Sequence, residues 1–207
     1  MFSSELDLRL PRHRTALLFC DPIWYAGRTV PVDVISQIAE WQKATGSFVI
    51  VDGSFQYMQW DRTRAELAAT LDPELTFRLV SPAKSLAIPC FRFAYLLHPA
   101  TIHEEFLFLY ENLVGGSCIT DLHFAARSLA VLRSQSSNLA LTDYLRSRYD
   151  TLISSGYLET EIQPNSGYFV FGLPREHRPD EVYMDQEFFE LQGYQNYGRI
   201  NLLKTIL

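Results

Sequence analysis

Three short apolar runs, each ending on a polar or ionisable residue, constrain the fold of this chain more than any other feature. T-A-L-L-F-C (15–20) stops at Asp21-Pro22, S-F-V-I-V-D (47–52) ends on Asp52, and L-T-F-R-L-V-S (75–81) ends on Ser81. Unbroken apolar runs of this length, bounded by turn residues, read as buried strands. Between the first two lies V-P-V-D-V-I-S-Q-I-A-E-W-Q-K-A, with Pro31 near the first helical position. Its apolar residues at 34, 35, 38 and 41 share a face, and Gly46 stands where a C-cap would. Strand, helix, strand at this spacing predicts an α/β fold with a mostly parallel sheet and helices on its faces. F-R-F-A-Y-L-L (91–97) reads as a fourth strand, reached without a full crossover helix.

From His103 the pattern turns helical, through E-E-F-L-F-L-Y-E-N-L-V, then about 121–135 and about 139–154, with Gly115-Gly116-Ser117 as punctuation. Phe106, Phe108, Leu109, Tyr110 and Leu113 read as helix-packing residues, and Trp41 and Trp60 as structural. An α+β tail follows, with strands expected at 157–163, 167–173 and 198–203 and a short helix around 185–191. The domain expectation is a cofactor-side α/β unit over 1–115, then connecting helices and a small α+β domain over 116–207. Arg78 has no assignable role, and 176–181 reads as a solvated loop.

At 207 residues with 47% hydrophobic and 20% charged content, the composition is that of a soluble globular protein. A formal charge of −6 argues against a general nucleic-acid or anionic-membrane binder. No run has the length of a transmembrane helix, and the N-terminus lacks the basic start and apolar core of a signal peptide. Cys20, Cys90 and Cys118 are widely spaced, which suggests reduced thiols in a cytoplasmic setting. The five histidines show no metal-ligand spacing, so no metal is expected.

Ligands of α/β sheets gather at the carboxyl ends of parallel strands. That rule selects Asp21, Asp52 and the stretch Ser81 to Lys84. Asp-Pro and Asp-Gly also stop strands by turn chemistry alone, and that plainer reading stays open, above all for Asp21. Lys84 sits among small and apolar residues, either as a surface stem or as an amine kept for chemistry.

The pieces S-P-A-K (81–84), Arg92 eight positions after Lys84, V-I-V-D (49–52), S-G-Y-F (166–169) and R-I-N-L (199–202) occur in that arrangement across the chain. In this the sequence resembles fold-type-I pyridoxal-phosphate aminotransferases (classes I and II), from the second half of their large domain into their C-terminal domain. The resemblance implies a half-size sheet and an aminotransferase-like enzyme acting on an amino acid. It makes Lys84 the lysine that forms the Schiff base with pyridoxal 5′-phosphate. Asp52 would pair with the pyridine nitrogen, Arg92 and Ser81 would bind the phosphate, and Arg199 would hold the substrate carboxylate. Each role has a physical basis. A partly desolvated lysine is neutral often enough to attack a carbonyl. A carboxylate keeps the ring nitrogen protonated, and an arginine offers a planar fork to phosphate or carboxylate oxygens.

Three departures from the family pattern carry weight. Family chains are about twice as long, and the part without a counterpart here is N-terminal, including the phosphate loop and the aromatic residue stacked on the ring. Uncovered sheet edges are an aggregation hazard, so the expectation is a partner, either another copy of this chain or a second polypeptide. Second, two cofactor-binding positions are changed. D-P-I-W-Y-A-G (21–27) puts Trp24 where the family has an asparagine, and Phe55 stands where it has a tyrosine. Both family residues donate to the cofactor's phenolic oxygen, and Tyr25 and Tyr57 are the nearest substitutes in sequence. Third, the segment from Phe189 to Arg199 is short for the family. Two alternatives stay open: a non-catalytic scaffold or regulatory subunit, and a pyridoxal-phosphate enzyme with a changed reaction (lyase, decarboxylase or cyclase).

Overall fold

The structure, a computed structural model, describes residues 9–60, 70–88, 93–116, 118–133, 139–175, 184–185, 187–190 and 192–204. Strand β1 (Ala16–Cys20), helix α1 (Val32–Thr45), β2 (Phe48–Asp52) and β3 (Thr76–Val80) form the expected strand, helix and strand succession. The strands lie in the order β1-β2-β3, parallel, with Leu18 level with Ile50 and Cys20 level with Asp52. Helix α1 ends at Gly46, whose φ of 65° suits the left-handed cap and whose N–H donates to the Gln42 carbonyl at 2.9 Å.

A helical turn, α2 (Pro82–Ser85), leads from β3 to β4 (Tyr95–Leu97). β4 runs antiparallel to β3, with Leu79 level with Leu96. The described part of their connection holds one helical turn and no crossover helix, as antiparallel pairing permits. Helices α3 (His103–Val114), α4 (Ile119–Arg133) and α5 (Leu139–Ser154) follow. A second sheet is wholly antiparallel, in the order β5 (Leu158–Glu159), β6 (Phe169–Pro174), β8 (Gly198–Asn201), β7 (Met184–Asp185).

The structure departs from the sequence expectations in several places. The strand expected at 157–163 shortens to two residues because Thr160 Oγ1 donates to the Phe171 carbonyl at 2.8 Å and accepts from Ile162 N at 3.0 Å. A side chain thus takes the place of the backbone ladder. In place of the helix expected around 185–191, the described residues there form the two-residue strand β7 and a turn over 187–190, where Asp185 Oδ1 accepts from Phe188 N at 3.1 Å. α3 buries none of its residues: Phe108 and Leu113 are 71% and 76% exposed, Leu109 is exposed, and Phe106 and Tyr110 are half-buried. The core reading of that helix therefore fails.

The parallel sheet is also one-sided. Val49 and Val51 are fully buried beneath Val34, Ile35 and Ile38 of α1, whereas Leu18, Ile50, Leu79 and Leu96 on the opposite face are exposed. No described element covers that face. One apolar cluster joins α1 and β2 to Ile162 and Phe171, and Trp41 belongs to it. A second joins Phe55, Met58 and Trp60 to Leu145, Leu152, Val170, Ile200 and Leu202.

Gln42 is the polar anchor of the first cluster. Fully buried, it donates to the Leu75 carbonyl at 3.1 Å and Thr76 Oγ1 at 3.0 Å, and accepts from Asp72 N at 2.9 Å. Gln42→Ala should lower the unfolding free energy by about 2–4 kcal/mol in urea titrations, through unsatisfied backbone groups. Tyr25 gives a pH signature. Burial pushes its phenol up from 10.0 to about 12, with smaller contributions from Cys20 and Tyr194. The folded state favours the neutral phenol. Its contribution is therefore complete below the unfolded value of 10.0 and is lost as pH rises through about 12. Tyr25→Phe should flatten the fall in stability over that window, measured as urea midpoints against pH.

Candidate active site

The loops at the carboxyl ends of β1, β2 and β3 meet the start of β6 and the middle of β8 around one cavity of about 330 Å³. Its lining brings together Trp24, Asp52, Phe55, Lys84 and Arg199, all five sought from sequence, with Pro22, Ser54, Tyr168 and Phe169. Ser81 is not in the lining. It caps α2, and its hydroxyl donates to the Phe93 carbonyl at 3.5 Å. Arg92, with Cys90, lies outside the described residues.

Asp52 is held from both sides. Its Oδ1 accepts from Ser54 N at 3.0 Å and from Ser54 Oγ at 2.5 Å, the turn chemistry of an Asp-x-Ser sequence. The Cys20 thiol, level with Asp52 across the β1–β2 ladder, lies 4.0 Å from Oδ2. Burial and the Asp52 charge raise the Cys20 pKa, and Lys84 partly offsets them, so Cys20 stays a protonated donor. Lys84 is carried by the single turn α2, and its Nζ lies 4.1 Å from the centre of the Phe55 ring.

Arg199 lies between two aromatic faces, 4.3 Å from Phe169 and 5.2 Å from Trp24. Burial lowers its pKa and the neighbouring Tyr168 works the other way, yet a guanidinium stays charged at any working pH. Aromatic faces favour a cation without neutralising it, so Arg199 keeps its charge for a ligand anion.

The backbone locks these parts together. Gly27, with φ of 62°, presents its carbonyl to both Asn165 N at 2.7 Å and Ser166 N at 2.8 Å. Asn165 also binds Thr29, accepting from its N–H at 2.9 Å. From the other side Trp60 Nε1 donates to the Gly167 carbonyl at 2.9 Å, and Gly167 N to the Met58 carbonyl at 2.8 Å. The loop carrying Trp24, the segment carrying Phe55 and the start of β6 are therefore tied together by backbone hydrogen bonds.

An amine, a carboxylate, a guanidinium and aromatic walls in one cavity match the ring, aldehyde and acid ends of pyridoxal phosphate with an amino acid. The phosphate end has no such match in the described lining, since Ser81 is turned to Phe93. Among the described residues no group of three or more metal-ligating side chains occurs. No described helix is long and apolar enough to cross a membrane. Sequence reasoning does not single out Pro22, Ser54, Tyr168 or Phe169 as lining residues. Tyr168 and Phe169 lie inside S-G-Y-F, but only tertiary packing brings them into this lining.

A Cβ on Gly27 would stand 2.2 Å from the Phe169 carbonyl oxygen and 2.7 Å from that of Ser166, whereas one on Gly46 meets nothing within 4 Å. Both glycines have left-handed φ, so backbone strain is shared and the clash is not. Gly27→Ala should therefore cost about 3 kcal/mol or more and Gly46→Ala about 1 kcal/mol, measured by urea unfolding.

Neither a protein-family model nor a curated protein matches the sequence. Solved structures do match the fold. A double mutant of Thermus thermophilus aspartate aminotransferase superposes with a TM-score of 0.75 at 15% identity, over 92% of this chain and 53% of that one. N-succinyldiaminopimelate aminotransferase from Mycobacterium tuberculosis gives 0.73 at 20% identity, over 91% and 54%. A PLP-bound structure from Clostridium difficile 630, described as an aminotransferase, gives 0.69 at 16% identity, over 91% and 54%. The chain spans about half the length of each of these structures. What it shares with them is the fold: a mostly parallel four-stranded sheet and an antiparallel four-stranded sheet that together make about half of a fold-type-I aminotransferase.

Proposed function

We propose that this chain carries the lysine, carboxylate and substrate-arginine part of a pyridoxal-phosphate enzyme acting on an amino acid, with aminotransferase-like chemistry. One observation carries the reading: Lys84, Asp52 and Arg199, from three distant segments, line one cavity. When bound, the cofactor supplies an electron sink for a bond breaking at the substrate Cα. Lys84, on the single turn α2, is the residue that would hold the cofactor and move the proton at Cα. Asp52, fixed by Ser54, keeps the ring nitrogen protonated. Arg199 binds the α-carboxylate with a bidentate fork. For the phosphate we assign Arg92 and Ser81, the latter after its hydroxyl leaves the Phe93 carbonyl.

The exposed apolar face of the parallel sheet and the outer edge of β1 support a further layer of polypeptide over this half-fold. That layer would come from the same polypeptide, from a second copy or from a second chain.

A second reading, a scaffold without chemistry, has one observation in its favour. Phe55 puts aromatic carbon where a hydroxyl would serve the cofactor, Trp24 offers an indole N–H in place of an amide, and the Phe55 ring lies 4.1 Å from Lys84 Nζ. The test separates the two. Titrated with pyridoxal phosphate, the chain should develop a visible absorbance band, and borohydride should fix the cofactor to the Lys84 peptide. Lys84→Ala should lose both. Absence of the adduct, with any co-purifying polypeptide retained, would leave the scaffold.

A further inference from the structure

Position 55 of the cavity carries no hydroxyl and position 24 offers an indole N–H in place of an amide, and neither of the two tyrosines nearest in sequence lines the cavity. Tyr25 is 9% exposed and packed into the core, stacked on Phe189 at 4.2 Å and edge-on to Phe171 at 5.8 Å. It does not line the cavity. Tyr57 lies near Arg78 and Tyr95, adding a small charge effect to each, and is likewise outside the lining.

Tyr168 is inside it. Its ring stands edge-on to Phe55 at 5.1 Å and leans on Phe169 at 4.6 Å. It therefore occupies the space beside the ring whose own hydroxyl is missing. The backbone there is pinned: the Tyr168 carbonyl accepts from Leu202 N at 2.9 Å, and the preceding Gly167 is held by Met58 and Trp60. Burial raises the Tyr168 pKa and Arg199 offsets this in part, so the phenol is protonated at neutral pH and can donate. Among the described residues its hydroxyl has no hydrogen-bond partner. A phenol fixed at the wall of a charged cavity, with its donor uncommitted, is placed to serve a ligand.

We propose that Tyr168 is a cofactor-binding residue whose hydroxyl donates to the phenolic oxygen of pyridoxal phosphate. It would restore from the start of β6 the donor that Phe55 does not carry on the loop after β2. The inference rests on the proposed function and adds a residue to it. The physical consequence is specific. A hydrogen bond to the phenolic oxygen draws off negative charge that would otherwise hold a proton on the nearby imine nitrogen. Removing the donor should raise the pH at which that nitrogen loses its proton.

The experiment titrates the full chain, Tyr168→Phe, Tyr25→Phe and Tyr57→Phe with pyridoxal phosphate. Affinity is read from absorbance, and the pH midpoint of the visible band from a spectral titration. Tyr168→Phe should bind roughly 10- to 100-fold more weakly, the loss of one hydrogen bond to a charged oxygen, and its midpoint should move up. Tyr57→Phe and Tyr25→Phe should keep the parent midpoint. With an analogue lacking the ring hydroxyl, the parent chain and Tyr168→Phe should bind alike. A Tyr168→Phe titration indistinguishable from the parent, or an equal loss with the analogue, overturns the inference and leaves the enzyme reading intact. A parent chain that gives no borohydride-stable adduct overturns the enzyme reading, and this inference with it.

Discussion

The paired hydrogen bonds from Asn165 and Ser166 to the Gly27 carbonyl join what would otherwise be two separate pieces of chain. On one side is the parallel sheet with its strand-end loops; on the other are the antiparallel strands that carry Tyr168 and Arg199. Gly27 reaches this position only with a left-handed φ and no side chain, because carbonyl oxygens of Ser166 and Phe169 fill the space a Cβ would need. Phe169 and Phe171 then pack against the aromatic residues that follow β1, and Val170 enters the second apolar cluster. The cavity exists because that seam sets the distance between its two walls.

Within the cavity, charge is managed by aromatic surface and by short polar side chains. Lys84 and Arg199 both rest on ring faces. That contact offsets part of the cost of bringing a cation out of water. Asp52 is treated differently, with Ser54 occupying one oxygen and a protonated thiol near the other. The site thus gathers a carboxylate, an amine and a guanidinium in one cavity, which suits a ligand that itself carries both signs of charge.

The fold was legible to a large degree because its signals are local. The α1 stripe, the Gly46 cap and the strand ends at Asp52 and Ser81 depend on residues within a few positions of one another. The misreadings share a cause as well. Continuous apolar runs implied strands buried on both faces, and apolar residues on α3 implied a packed helix. In this chain Leu18, Ile50 and Phe108 are exposed, because an apolar pattern declares what a surface needs and not which polypeptide meets it. The β5 and β7 regions failed for a smaller reason: Thr160 and Asp185 side chains compete with the backbone for its hydrogen bonds.

The sequence by itself determined the alternation of strand and helix and the residue types at the strand ends, and it carried the S-P-A-K, V-I-V-D and R-I-N-L pieces, since each rests on local periodicity or spacing. Only the tertiary structure decided that Lys84, Asp52 and Arg199 share a cavity, that Ser81 turns to Phe93 instead, and that the phenol in the cavity lining is Tyr168 and not Tyr25 or Tyr57. Those outcomes follow from contacts between segments that lie from about a dozen to more than a hundred residues apart, set by packing and backbone seams that no local pattern encodes.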